Sequence, residues 1–190
     1  MNHKISVTSI RLKYIQFPIM LFFFLIFSFN IHSETSTAVK APDFSLFDTD
    51  QKVVRLSKFK GNVVVLNFFA TWCPPCRMEI PSFVKIAKKY KEKDVRFLGI
   101  ILENPYSEKK VKSFIKENKI NYPVLQGNKD VIISYGGIRA IPTTFIVDQK
   151  GLIIEHHVGY LTEEKLKEII DKTIETNKVK DKKNNAKKEK

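Results

Sequence analysis

Val63-Val64-Val65-Leu66-Asn67-Phe68-Phe69-Ala70-Thr71-Trp72-Cys73-Pro74-Pro75-Cys76-Arg77-Met78-Glu79-Ile80-Pro81 is the stretch whose reading decides the fold. Its first part, Val63 to Phe69, is apolar apart from Asn67 and rich in β-branched and aromatic side chains, which predicts a central strand buried on both faces. Beyond the cysteines, Ile80, Phe83, Ala87 and Tyr90 recur at steps of three and four and predict a helix. Pro74 and Pro75 suit its start, where a missing N–H would have had no partner anyway. Both cysteines of the chain lie in the turn between strand and helix, with Cys73 at the helix N-terminus.

That placement carries chemistry. The thiolate is the nucleophile of thiol exchange, and the unpaired N–H groups at a helix start stabilise an anion. Cys73 is therefore the expected attacking sulfur. Cys76, one turn on, is the expected resolving thiol, which attacks a mixed disulfide and closes the Cys73–Cys76 ring. A purely structural bridge over two intervening residues would remove little chain entropy from the unfolded state. A zinc site wants four ligands, and of His3, His32, His156 and His157 the first two precede the domain while the adjacent last two point to opposite faces of a strand. Two inert buried thiols do not suit a turn. Glu79 follows Cys76 by three residues, so its carboxylate can approach the cleft, although a solvated surface acid would show the same spacing.

A chain of 190 residues with formal net charge +13 raises the question of a nucleic-acid partner. Divided along the chain, residues 1–13 carry +3, residues 178–190 carry +5 and the body between them +5, so most of the excess lies at the two ends. No nucleic-acid motif and no basic stripe interleaved with aromatics accompanies it. Residues 178–190 read as a lysine-rich disordered tail, with contact to anionic lipid headgroups as the alternative. From Tyr14 to Ser33 no residue is charged, and Lys4, Arg11 and Lys13 precede that apolar span. Residues 1–33 therefore read as a signal peptide or an uncleaved membrane anchor, with the N-terminus cytoplasmic if uncleaved and the rest exported to the periplasmic or extracytoplasmic face. No cysteine follows the apolar run, which excludes a bacterial lipid anchor. Residues 34–40 read as a linker and 41–177 as one domain.

Within the domain, Ser45 to Phe47 and Val53 to Leu56 predict a hairpin added at the sheet edge. Val95 to Leu102 predicts a second buried strand, parallel to the first across a helical crossover. Ser107 caps a predicted helix ending near Asn118, with Val111, Phe114 and Ile115 inward. Gly136 and Gly137 loosen the chain before Ile141-Pro142, and Thr144 to Val147 with Leu152 to Val158 predict an antiparallel hairpin. The residues alone favour an ordinary trans Pro142 opening that strand. A closing helix runs from Thr162 to about Asn177, with Glu163 and Glu164 in its first turn where acids are favoured.

Trp72-Cys73-Pro74-Pro75-Cys76, followed by Ile141-Pro142-Thr143, resembles the thioredoxin superfamily. Ala41-Pro42-Asp43-Phe44, Arg77-x-Glu79-x-Pro81, Thr143-Thr144-Phe145-Ile146-Val147-Asp148 and Gly159-Tyr160-Leu161-Thr162 narrow the resemblance to its exported TlpA/ResA-like thiol-disulfide oxidoreductases. It covers Ala41 to Glu175 and implies an α/β thioredoxin fold: a central mixed β-sheet flanked by helices, with an N-terminal β-hairpin and a helical insertion after the second core strand. It also implies that Pro142 is cis and faces the cysteine turn, and that Trp72, Ile141 and Pro142 bind substrate. Thioredoxins carry a proton-handling aspartate at the position of Asn67, and the resemblance moves that role to Glu79. Arg77 reads as a solvated helix residue.

The implied protein is a monomer without cofactor that reduces protein disulfides, with apocytochrome c a candidate client. Its electrons come from a membrane thiol donor, because the chain has no third cysteine. Pro74-Pro75 offers no cation to hold a thiolate and Glu79 opposes one, so the pair is expected at the reducing end of the scale. Two rivals differ in spacing. A peroxiredoxin shares the Ala41-Pro42-Asp43-Phe44 opening but lacks a partner cysteine two residues on, and a copper carrier of this fold has one more residue between its cysteines and a distant histidine.

Overall fold

The strand Val63–Phe69 is buried at all seven positions, which requires packed layers on both faces of its sheet. The computed structural model describes residues 39–103 and 106–188, so the expected leader or anchor at 1–33 lies outside the described residues. In chain order the elements are β1 (Val39–Lys40), β2 (Ser45–Phe47), β3 (Val53–Arg55), β4 (Val63–Phe69), α1 (Pro74–Tyr90), β5 (Val95–Ile101), α2 (Glu108–Glu117), β6 (Val124–Gln126), α3 (Lys129–Ser134), β7 (Thr143–Val147), β8 (Leu152–Val158) and α4 (Glu163–Lys188). Six strands form one mixed sheet in the order β1-β8-β7-β4-β5-β6. β4 lies at its centre, parallel to β5 from Val63↔Val95 and antiparallel to β7 from Val64↔Val147.

Alternation along β4 divides the core. Val64, Leu66 and Phe68 pack with Phe44, Leu46, Leu98, Tyr135 and Phe145 on one face. Val63 and Val65 meet Phe83 and Ile86 of α1 and Leu166 and Ile170 of α4 on the other. Where the strand ends, Phe69 joins Ile80, Val111 and Phe114 around the two cysteines. The helical insertion closes the core over the redox pair, and Ser107 caps α2 as expected, its side chain accepting from Lys110 N–H.

The structure departs from the expectations in four places. The linker is shorter, because Val39 and Lys40 pair with Ile153 and Leu152 as an edge strand too short to show alternation. The β2–β3 hairpin lies at the β6 edge as expected, through the bridge Asp48↔Leu125 and Leu46 packing with Leu125, but as a separate two-stranded sheet rather than an added strand pair. α3, capped by the Asn128 side chain accepting from Val131 N–H at 2.9 Å, has no counterpart in the sequence reading. The closing helix does not stop near Asn177; it is continuous from Glu163 to Lys188, so 178–188 is helical where a disordered tail was expected. No glycine or proline interrupts that span, and lysine and alanine are good helix formers.

Candidate active site

α1 begins at Cys73, whose extended backbone (φ −82°, ψ 111°) makes it the N-cap. Its Sγ accepts from Cys76 N–H at 3.3 Å, and Arg77 N–H reaches Cys73 O at 3.1 Å to close the first turn. Pro74 and Pro75 fill the positions where no N–H is required. Cys73 and Cys76 form a disulfide, with S–S 2.06 Å and Cα atoms 5.3 Å apart. Cys76 is fully enclosed and Cys73 is 2% exposed, so the pair meets solvent at one edge only.

That edge is built by three segments. The Ile141–Pro142 bond is cis, and the Ile141 carbonyl oxygen lies 3.7 Å from Cys73 Sγ. The Pro142 carbonyl is taken by Gly159 N–H at 2.8 Å, which leaves Ile141 as the member of the pair whose carbonyl borders the sulfur. Trp72, 62% exposed, lies on the surface rather than in the core. Its position follows from Thr71, whose N–H at 2.7 Å and whose hydroxyl both donate to Glu103 Oε1. From the other side Arg77 Nη1 donates to Thr71 O at 3.1 Å while its guanidinium lies 5.3 Å over the Phe114 ring. Arg77 is thus exposed but engaged, not the free solvated residue expected.

Glu103 went unread in the sequence, because only the fold brings it beneath Thr71. Burial pushes its carboxyl pKa up, but the hydrogen bonds from Thr71 and the charge of Lys110, whose Nζ is 3.1 Å away, outweigh burial and hold it below the ordinary value.

Behind Cys76 the site is polar and enclosed. Glu79 is fully buried; its Oε1 accepts from Asn67 Nδ2 at 2.8 Å and its Oε2 from Leu161 N–H at 3.1 Å. Asn67 Nδ2 also donates to Thr144 Oγ1 at 3.1 Å. Burial dominates over these two donors and raises the Glu79 pKa from 4.5 to about 7. The surface-acid alternative therefore fails on burial. Tyr122, another residue the sequence did not flag, brings its hydroxyl into the same interior: burial first and the Glu79 charge second push its pKa up. Gly99, the β5 partner of Asn67, makes room for it, since a Cβ there would lie 3.4 Å from Tyr122 Cε2 and 2.9 Å from Phe69 Cε1. Tyr122 OH and Asn67 Oδ1 are buried without a protein hydrogen-bond partner.

The fold thus gathers Cys73, Cys76, Glu79, Ile141 and Pro142 at one end of β4, with Trp72 beside them. Among the described residues no three His, Cys, Asp or Glu side chains cluster as metal ligands. His156 stacks on Phe145 with ring centroids 4.3 Å apart, and His157 Nε2 lies 3.1 Å from Tyr160 O.

What such a pair can do is exchange disulfides, and the sheet and helices that present it are those of the thioredoxin fold. The molecule is a thioredoxin-fold thiol-disulfide oxidoreductase. More narrowly, a model described as the AhpC/TSA family matches residues 37–156, and the chain belongs to that family, among its ResA-like members. The thioredoxin-like protein YneN of Bacillus subtilis is 37% identical over 136 residues, 70% of this chain and 77% of its own. The thiol-disulfide oxidoreductase ResA of Bacillus cereus is 35% identical over 144 residues, 76% of this chain and 82% of that one. The crystal structure of a thiol:disulfide interchange protein of the thioredoxin family from Chlorobium tepidum superposes with TM-score 0.67 at 33% identity, covering 72% of this chain and 97% of that one.

Proposed function

We propose that this protein is an exported reductant of protein disulfides, held at the extracytoplasmic face of the cytoplasmic membrane by residues 1–33, with apocytochrome c cysteines as a candidate substrate. One observation carries the mechanism: the Cys73 sulfur meets the open edge beside the Ile141 main chain, while Cys76 is enclosed with a carboxyl poised near pH 7.

In the reduced protein the Cys73 thiolate, favoured by the α1 N-terminus, attacks one sulfur of the substrate disulfide. The substrate S–S bond breaks, one substrate thiolate leaves, and a mixed disulfide forms on Cys73. The substrate chain pairs along Ile141 in short strand-like contact, with Trp72 as a flat neighbour. Glu79, on the same helix face one turn beyond Cys76, takes the Cys76 proton. The Cys76 sulfur then attacks Cys73 Sγ, the second substrate sulfur leaves and is protonated, and two electrons have passed to the substrate. The protein is left with the Cys73–Cys76 disulfide, and a membrane thiol donor outside the cytosol restores the dithiol.

Cys76→Ser removes the resolving step. Mixed disulfides should accumulate on Cys73 in cells, and the captured proteins identify the clients. Absence of any Cys73-linked adduct in that variant, with adducts forming instead on Cys76 in Cys73→Ser, would reverse the assignment.

A further inference from the structure

The redox pair sits at the C-terminal end of β4, and the topology collects lysines at the opposite end. Lys60 precedes β4, Lys150 lies in the β7–β8 turn, and Lys40 is in β1 opposite Leu152. These three line one cavity of about 110 Å³ together with Leu56, Phe59, Val64 and Val147, so they converge rather than scatter. α1 starts at the active site and therefore ends at this same pole, with Lys88 and Lys89 in its last turn and Lys91 and Lys93 in the turn before β5. All these lysines are exposed. Among the described residues the ion pairs involve other lysines.

The acids at this end neutralise them incompletely. Asp148 is buried and Asp43 exposed; both line the cavity, and both spend Oδ1 on backbone N–H groups. Glu92 and Asp94, with Asp43, are exposed counter-charges, fewer than the lysines they face.

α4 adds to the same pole. Glu163 meets Lys85 at 2.6 Å and Asp171 accepts from Tyr90 OH at 2.7 Å, so the helix runs toward the lysine end. At about 1.5 Å per residue its continuation to Lys188 passes beyond that end. Residues 178–190 carry seven lysines against Asp181 and Glu189. The described chain begins with β1, whose Lys40 pairs with Leu152 at this end, seven residues after Ser33, where the uncharged stretch stops.

We propose that this lysine-bearing end is a docking surface for anionic phospholipid headgroups, which turns Trp72 and Cys73 away from the bilayer toward soluble clients. The inference rests on the reading of residues 1–33 as a tether, which brings the surface within reach of lipid. Lysines near an anionic leaflet act within a Debye length of about 8–10 Å, so the contact is salt-sensitive.

Trp72 is the only tryptophan and lies at the far end, so it reports the orientation. The full chain is reconstituted in vesicles bearing a dansyl-headgroup lipid, either in phosphatidylcholine alone or with phosphatidylglycerol. At low salt, energy transfer from Trp72 to dansyl should be roughly twofold lower in the anionic vesicles, and about 0.5 M salt should erase the difference. The triple variant Lys60→Glu, Lys93→Glu, Lys150→Glu should lose the difference while keeping its reduction of a soluble disulfide in detergent. Equal transfer in the two lipids, higher transfer in the anionic one, or an undiminished difference in the variant overturns the proposal. Retention on vesicles at high salt reads the tether separately: release there sinks the tether, while the low-salt comparison still decides the docking surface.

Discussion

The two sulfurs of one disulfide sit in different media. Cys73 borders Ile141 O at 3.7 Å and the exposed Trp72, at the edge where another protein can arrive. Cys76 is fully enclosed, one helical turn before Glu79, whose carboxyl pKa burial has raised to about 7. The helix N-terminus favours charge on the first sulfur, while the second has no exposure at all. The pair is chemically asymmetric because one helical turn carries it from the edge into the interior. In the proposed mechanism, attack belongs to the edge and proton transfer to the interior.

The largest expected effect separates the two sulfurs outright. Cys73→Ala should abolish both reduction of a protein disulfide and formation of any adduct, whereas Cys76→Ala should abolish turnover but still give one adduct per molecule. Comparable single-turnover adduct formation by both variants would mean that the asymmetry is absent.

Glu79→Gln tests the interior. A carboxyl whose folded pKa lies above its unfolded value favours the fold in its protonated form. Its contribution is therefore fully present below pH 4.5 and is lost as pH rises through about 7. The shift corresponds to about 3 kcal/mol. The oxidised wild type should lose about that much stability in denaturant titrations between pH 4.5 and pH 8, and Glu79→Gln should show a flatter profile over the same window. The same variant should lower the apparent pKa of Cys73 alkylation, since it removes a carboxylate that repels the thiolate. Identical wild-type and variant profiles would leave Glu79 without a proton role.

Glu103→Ala tests the edge. It strands the Thr71 N–H and hydroxyl, at a cost of about 2 kcal/mol, and should loosen the segment that holds Trp72, seen as broadened Trp72 emission. Tyr122→Phe should have the smallest effect, within about 1 kcal/mol of wild type, because the lost hydroxyl has no protein partner. A clearly larger loss would reveal a hydrogen bond to that hydroxyl.

What the sequence disclosed was what its neighbours in the chain determine. The apolar run of β4, the prolines at the start of α1 and the Ser107 cap are local, and the structure has each where the residues placed it. Glu103 under Thr71, Leu161 N–H on Glu79 and Tyr122 over Gly99 were not readable, because each depends on register or on a contact between distant segments. Burial of Glu79 falls between the two cases. Spacing put it one turn from Cys76, but only the packing of α1 against β4 and the Leu161 turn encloses it. The charge density of 178–188 suggests disorder, but the span lacks any helix breaker and α4 continues through it.

If a thiolate is favoured at Cys73 and opposed near Glu79, the dithiol is a good electron donor, as proposed. Redox titration of the purified protein at pH 7 against glutathione and dithiothreitol buffers, read by alkylation of Cys73 and Cys76, tests this most directly. The midpoint should fall near that of thioredoxin, about −270 mV; a value near the DsbA level of about −120 mV would mean that the reduced form is strongly stabilised and would contradict the assignment as a reductant.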